Sequence, residues 1–194
     1  MSELKLVVLG STRGTNMQAI IDAIDFNQID ASIELVISNR KSAYILQRAQ
    51  EHNIFNKFVS AKDLTRERYD ELLVNEIQKY NPDIVLLIGF MRILSPVFIK
   101  ALEGKILNIH PSLLPKYAGG MNNDVHRRVL DAKDKETGCT IHVVTKDIDK
   151  GPVLVQKKCP VFRHDTVASL KKRVQKLEGE AFVEAIKKIG LSNE

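Results

Sequence analysis

Apolar runs of the buried-strand type alternate along this chain with stretches in which apolar residues recur every three or four positions. Residues 4–10 (LKLVVLG) and 33–39 (IELVISN) show the first pattern, and Met17, Ile20, Ile21 and Ile24 between them show the second. A helix is expected from about Ser42 to Glu51, followed by the short apolar run 54–59. Thr65 is placed to cap a helix carrying Tyr69, Leu72, Leu73, Ile77 and Tyr80 on one side, with Asn81-Pro82 ending it. IVLLIGF at 84–90 predicts a central strand, Pro96 a short helix, and KILNI at 105–109 the next strand. After Gly119-Gly120, the residues Val125, Val129 and Leu130 predict one more short helix. Residues 139–145 and 152–161 read as two strands joined by a turn around 147–151, as in a hairpin. Asp165-Thr166 caps a long last helix with Val167, Leu170, Val174, Leu177, Ala181, Ala185 and Ile189 along one stripe. The alternation predicts an α/β fold: a mostly parallel central sheet flanked by helices, with an antiparallel C-terminal strand pair and a long C-terminal helix.

Composition narrows this picture without changing it. The chain has 194 residues, enough for one well-buried domain and short for two, so 1–194 is read as a single domain. Hydrophobic residues at 44% and charged residues at 27% fit a folded globular protein rather than a disordered one. No apolar run approaches the length of a membrane span, and the N-terminus carries no secretory pattern, so the cytoplasm is the expected location. The two cysteines, Cys139 and Cys159, have no metal-ligand spacing and are expected to be reduced packing residues. The net charge of +5 comes from 29 basic and 24 acidic residues interleaved, with few aromatics, and this argues against a nucleic-acid partner. The one local excess of positive charge, from Lys157 to Lys176, reads as a solvated face or as an attractor of small anions.

Candidate chemistry centres on NIHPSLLPKY, residues 108–117. Asn108 and His110 sit at the end of a predicted strand, two apart and so on one face, where both side chains can meet one reacting atom. Pro111 and Pro115 stiffen the loop after that strand. An amide N–H beside an imidazole suits a reaction in which charge develops on a carbonyl oxygen. The turn GSTRGTN at 10–16 joins a strand to a helix and, with Gly14 allowing close approach, reads either as an ordinary turn or as an anion site. Asp149, in DIDKGP, is by its local sequence a turn former; beside His110 it would favour the charged imidazole. His142 reads as a hydrogen-bonded supporting residue, and His52, His126 and His164 as surface residues.

Taken together, GFMRILSP at 89–96, LNIHPSLLPKY at 107–117, GCTIHVV at 138–144 and DKGPVLVQ at 149–156 occur in the order and approximate spacing of the folate-dependent formyltransferases, which the chain resembles. The resemblance covers nearly the whole chain and is nearest to the purine-biosynthetic members, which formylate the amine of glycinamide ribonucleotide. It implies a Rossmann-like formyltransferase fold, 10-formyltetrahydrofolate as co-substrate, no metal, small-molecule substrates with no nucleic acid or membrane, and a monomer or weak homodimer. By that resemblance the catalytic trio is Asn108, His110 and Asp149. Gly14, Thr15, Asn16 and Arg66 would hold the substrate phosphate and Glu178 its ribose. Folate would lie along Met91, Arg92, Ile93 and Leu94, beside Asn108, and against the turn Lys146, Asp147, Ile148 and Asp149. The sequence departs from the pattern at 118–126, where Ala118 replaces a proline and the loop is about three residues longer; His126 is there a candidate replacement for the family's loop histidine. The tRNA-formylating relatives carry a further RNA-binding domain and the formyl-folate hydrolases a regulatory region, neither of which this length accommodates. A catalytically silent folate- or nucleotide-binding module is the rival from another class.

Overall fold

A computed structural model of the chain describes residues 3–120 and 122–192. Met121, within the loop that departs from the family pattern, and the first two residues, part of the N-terminal reading, lie outside it. The elements run β1 (Leu4–Leu9), α1 (Thr15–Asp25), β2 (Ala31–Ser38), α2 (Tyr44–Glu51), β3 (Asn56–Phe58), α3 (Arg66–Gln78), β4 (Ile84–Leu87), α4 (Pro96–Ala101), β5 (Ile106–His110), α5 (Asn122–Asp131), β6 (Glu136–Val143), β7 (Val153–Pro160) and α6 (Val167–Ser192). The strands form one seven-stranded sheet in the order β3-β2-β1-β4-β5-β6-β7. Every pair from β3 to β5 is parallel, and β5–β6 and β6–β7 are antiparallel. β4 is the middle strand, as its uninterrupted apolar run predicts.

Alternate residues of β1 divide the core. Leu6 and Val8 pack with Met17 and Ile20 of α1 and with Phe182 and Ala185 of α6, while Val7 and Leu9 pack with Tyr69, Leu73 and Ile77 of α3 and Phe98 of α4. Helices therefore cover both faces, and β1 and β4 each lie between neighbouring strands. Among the described residues no helix is long and apolar enough to cross a membrane. The expected caps are present: the Thr65 hydroxyl accepts from the Arg68 N–H at 3.2 Å, and Thr166 and Ser169 exchange side-chain-to-backbone bonds at 3.1 and 2.9 Å. Within the basic run Lys157 pairs with Glu184, Lys158 with Glu136, and Arg173 with Asp165.

The expected strand at 84–90 ends at Leu87. The Ile88 N–H still reaches the Leu9 carbonyl at 2.8 Å, but Gly89 adopts φ +62° and turns the chain out of the sheet. A Cβ there would stand 2.5 Å from Thr12 Oγ1, so the glycine also permits close packing of two loops. Those loops leave the carboxyl ends of β1 and β4, where the strand order reverses. Open α/β sheets bind ligands at this point.

Candidate functional site

At the switch point the turn 10–16 and the strip 89–94 are joined. The Ser11 N–H donates to the Gly89 carbonyl at 3.1 Å, the Met91 N–H donates to Ser11 Oγ at 2.9 Å, and that hydroxyl donates to Asn39 Oδ1 at 2.6 Å. The anion-type turn and the apolar strip, separate in the sequence, thus form the two walls of one place. Gly14 begins α1 with φ +66°, and among the described residues no side chain caps the helix. A Cβ on Gly14 would meet Ile45 Cγ1 at 2.5 Å. Glycine is required there by packing and backbone conformation, whatever binds above it, so Gly14→Val is a test of folding rather than of phosphate contact.

In the first turn of the same helix the Asn16 amide donates to Glu178 Oε2 at 2.8 Å, which links α1 to α6. Glu178 is held above the usual carboxylate range by burial, against the opposing effects of the Asn16 bond and the Lys171 charge. Asn16 and Glu178 are therefore brought together, with Thr15 beside Asn16 in the first turn. Arg66 opens α3, with its side chain 47% exposed and paired at 3.2 Å with Glu67.

β5 brings in the central residues. Its register with β6 sets Asn108 opposite His142 and His110 opposite Thr140. Asp149 reaches them from the β6–β7 turn with φ +55°, a left-handed conformation that Asp tolerates better than most residues. His110 Nδ1 lies 3.2 Å from Asp149 Oδ2, and His142 Nε2 lies 3.4 Å from Asp149 Oδ1. The Gly119 N–H completes the set by donating to Asp149 Oδ2 at 2.8 Å. Asn108 Nδ2 is 3.3 Å from His142 Nε2, and His142 Nδ1 is 3.1 Å from the Val143 carbonyl. The side chains of His110, His142 and Asp149 are 3%, 2% and 9% exposed, so these contacts operate with little screening by water. Burial alone would raise the Asp149 carboxyl, but the bonds from His110, His142 and the Gly119 N–H outweigh it and hold the acid far below the usual range.

The structure connects Asn108 and His110 through His142 and Asp149, and His110 Nε2 is 3.0 Å from the Tyr117 carbonyl oxygen. Both nitrogens of His110 face oxygen acceptors, so the ring can donate on either side. His142, read as a supporting residue, touches both Asn108 and Asp149. Only the β5–β6 register shows this.

The loop after β5 is held by residues that the sequence did not single out. Thr140 Oγ1 donates to the Ser112 carbonyl at 2.7 Å and accepts from the Leu114 N–H at 3.0 Å, while Gln156 donates to the Leu114 carbonyl at 2.9 Å. Tyr117 is fixed by its hydroxyl, which donates to Asp134 at 2.7 Å, and by the Arg128 guanidinium 5.1 Å from its ring centre. A Thr and a Gln within the apolar runs of β6 and β7 were the available signal.

Along the other wall, Ile93 is 61% and Ile148 is 55% exposed, two large apolar side chains on separate loops. Lys146 and Asp147 are exposed beside Ile148, and Met91 and Arg92 are partly buried. Leu94 corrects the expectation: it is 7% exposed and packs with Tyr69 and Phe98 in the core, so its side chain supports the strip rather than lining it. His126 is a second correction. It is 1% exposed rather than superficial, its Nδ1 has no partner among the described residues, and burial together with the Lys171 charge pushes its pKa down to about 4.

A histidine whose folded pKa lies below its unfolded value of 6.5 takes up protons on unfolding, so it lowers stability as pH falls from 6.5 towards 4. The His126→Gln variant lacks this dependence. Unfolding free energies of variant and parent, from denaturant melts at pH 7 and pH 4, are expected to change their difference by roughly 3 kcal/mol in the variant's favour. Parallel pH curves would show that the buried ring does not titrate in this way.

Comparison with known proteins identifies the family. The formyl transferase family model matches residues 4–186. The chain is 46% identical over 176 residues to the phosphoribosylglycinamide formyltransferase of Escherichia coli K12, covering 90% of this chain and 82% of that protein. The structure of glycinamide ribonucleotide transformylase 1 from Symbiobacterium toebii superposes with a TM-score of 0.90 at 37% identity, over 95% of this chain and 86% of that one. That of the Coxiella burnetii phosphoribosylglycinamide formyltransferase, in complex with CHES, superposes with 0.89 at 40% identity over the same shares. With the family model spanning nearly all of the sheet and the helices that cover it, this chain belongs to the formyl transferase family, and it is an enzyme of that family.

Proposed function

We propose that this chain, acting as one domain over 1–194, transfers the formyl group of 10-formyltetrahydrofolate to the amine of glycinamide ribonucleotide, in purine biosynthesis. The observation that carries the reading is the buried chain Asn108–His142–Asp149–His110 at the end of β5, beside the place where the turn 10–16 meets the strip 89–94. An uncapped helix start and the Asn16–Glu178 pair suit a phosphorylated sugar on one side. Exposed Ile93 and Ile148 suit a flat, largely apolar ring system on the other.

In this mechanism the substrate amine attacks the formyl carbon, forming a C–N bond and a tetrahedral oxyanion. His110 donates a hydrogen bond to that oxygen from the nitrogen that faces the Tyr117 carbonyl in the structure, and the Asn108 amide donates alongside it. Asp149 holds the His110 ring through its other nitrogen. Collapse of the intermediate breaks the bond from the formyl carbon to folate N10, and the proton lost by the amine ends on that nitrogen. This chemistry needs no metal. Gly14, Thr15 and Asn16 are assigned to the substrate phosphate and Glu178 to the ribose hydroxyls. Arg66, at the start of α3, is kept as a phosphate contact on the family pattern. The donor is assigned to Met91, Arg92, Ile93, the Leu94 backbone, Asn108 and the turn from Lys146 to Asp149. Free, buried Cys139 and Cys159 suit a reducing cytoplasmic location, and we assign a monomer or weak homodimer.

The test is an acceptor panel with purified protein and formyl-folate: glycinamide ribonucleotide, charged initiator tRNA, and water alone. Turnover is expected with the ribonucleotide, and with little salt dependence, because one compact site holds one phosphate. A polynucleotide gripped through many phosphates would lose about 0.9 log units of affinity per log salt for each phosphate neutralised. Formylation of tRNA without the ribonucleotide would overturn the acceptor and leave the transferase chemistry standing. Formate release without any amine would indicate hydrolysis, and binding without turnover would indicate a silent module.

A further inference from the structure

Beneath the strip assigned to the donor lies a buried acid that the proposed mechanism does not use. Asp70, on α3, is 0% exposed. Its Oδ2 accepts the Ser95 N–H at 2.5 Å, which fixes the end of the strip where α4 begins. Among the described residues its Oδ1 has no hydrogen-bond partner, and neither does the buried Nε–H of Arg92, the one cationic residue of the sequence 89–94. The two atoms have complementary chemistry and opposite charge. Arg92 is held over the Tyr69 ring with its guanidinium carbon 4.7 Å from the ring centre, and the Tyr69 hydroxyl is tied to the Val59 carbonyl at 3.2 Å. The guanidinium is therefore bounded by a fixed aromatic face, and the next residue of the same helix supplies the carboxylate.

We propose that Asp70 is a positioning residue for the formyl donor: its charge orients the Arg92 guanidinium, so that the remaining N–H groups of Arg92 meet the carboxylates every folate carries. A buried carboxylate oxygen and a buried guanidinium N–H are costly to leave unpaired. Burial raises the Asp70 carboxyl above its usual range, and the Ser95 bond and the Arg92 and Arg66 charges oppose that rise. The inference rests on the donor assignment of Arg92 and adds a residue that touches no substrate.

Asp70→Asn keeps the shape and an oxygen for the Ser95 N–H but removes the charge. Its donor KM is expected to rise about tenfold, with kcat and acceptor KM nearly unchanged. In an Arg92→Ala background the same change is expected to add nothing to the loss of donor binding. An effect of equal size in both backgrounds, or an unchanged donor KM in Asp70→Asn, overturns the proposal. Should Asp70→Asn not fold, Arg92→Lys decides: it keeps the charge but lacks the Nε–H, so donor binding is expected to weaken, and parent-like binding overturns the proposal. Arg92→Ala also separates the two readings. Unchanged donor binding there removes the donor assignment and this proposal together, whereas weakened binding with a neutral Asp70→Asn removes only the role of Asp70.

Discussion

His110→Ala is expected to slow the chemical step by about 10²–10³ while leaving both substrates bound nearly as tightly as in the parent. The reason is the timing of the interaction. A hydrogen bond to the formyl oxygen strengthens as that oxygen gains charge, so most of its stabilisation is present only in the transition state. The ring is 3% exposed and is held from one side by Asp149, so the donor is already oriented when the charge appears. Single-turnover rates at saturating substrate check this directly. Near-normal turnover in the folded variant would remove His110 from the chemistry.

Asp149→Asn should cost about 10²–10⁴ in rate through the same ring. Asparagine tolerates the left-handed backbone at this position, so the turn survives. The carboxylate faces a ring nitrogen of His110, a ring nitrogen of His142 and the Gly119 N–H. An amide has one accepting oxygen, so its NH₂ must face one of these donors, and at least one ring has to change which nitrogen carries a proton. Ring ¹⁵N spectra report that change, and identical spectra in variant and parent would sink the account of Asp149 as the group that sets both rings. Stability has a defined sign as well. Because the folded carboxyl lies far below its unfolded value of 3.8, its stabilisation is fully present above that pH and is lost as pH falls through the folded value. The variant is therefore expected to be less stable than the parent at neutral pH, and the deficit to shrink in strong acid.

The features legible along the chain are local in origin. The alternation of apolar runs with three-and-four spacing yields the order of strands and helices, because side-chain period follows from backbone geometry within one element. Thr65 and Thr166 announce helix starts, because a cap bonds only to its own first turn. NIHPS and DKGP could be singled out, because Asn, His and Asp in those contexts carry chemistry whatever surrounds them. Each remaining point needed the assembled fold, since it depends on which distant element lies alongside. The antiparallel register of β5 with β6 puts His142 against Asn108, and a shift of one residue would turn it to the other face. The β6–β7 turn folds back to set Asp149 between two imidazoles, where its local sequence reads only as a turn. Leu94 is core because α3 packs beneath it, and His126 is buried although Asp124, Arg127 and Arg128 in the same helix are exposed. Burial, hydrogen-bond partners and charge coupling are properties of the assembled neighbourhood, and no period along the chain encodes them.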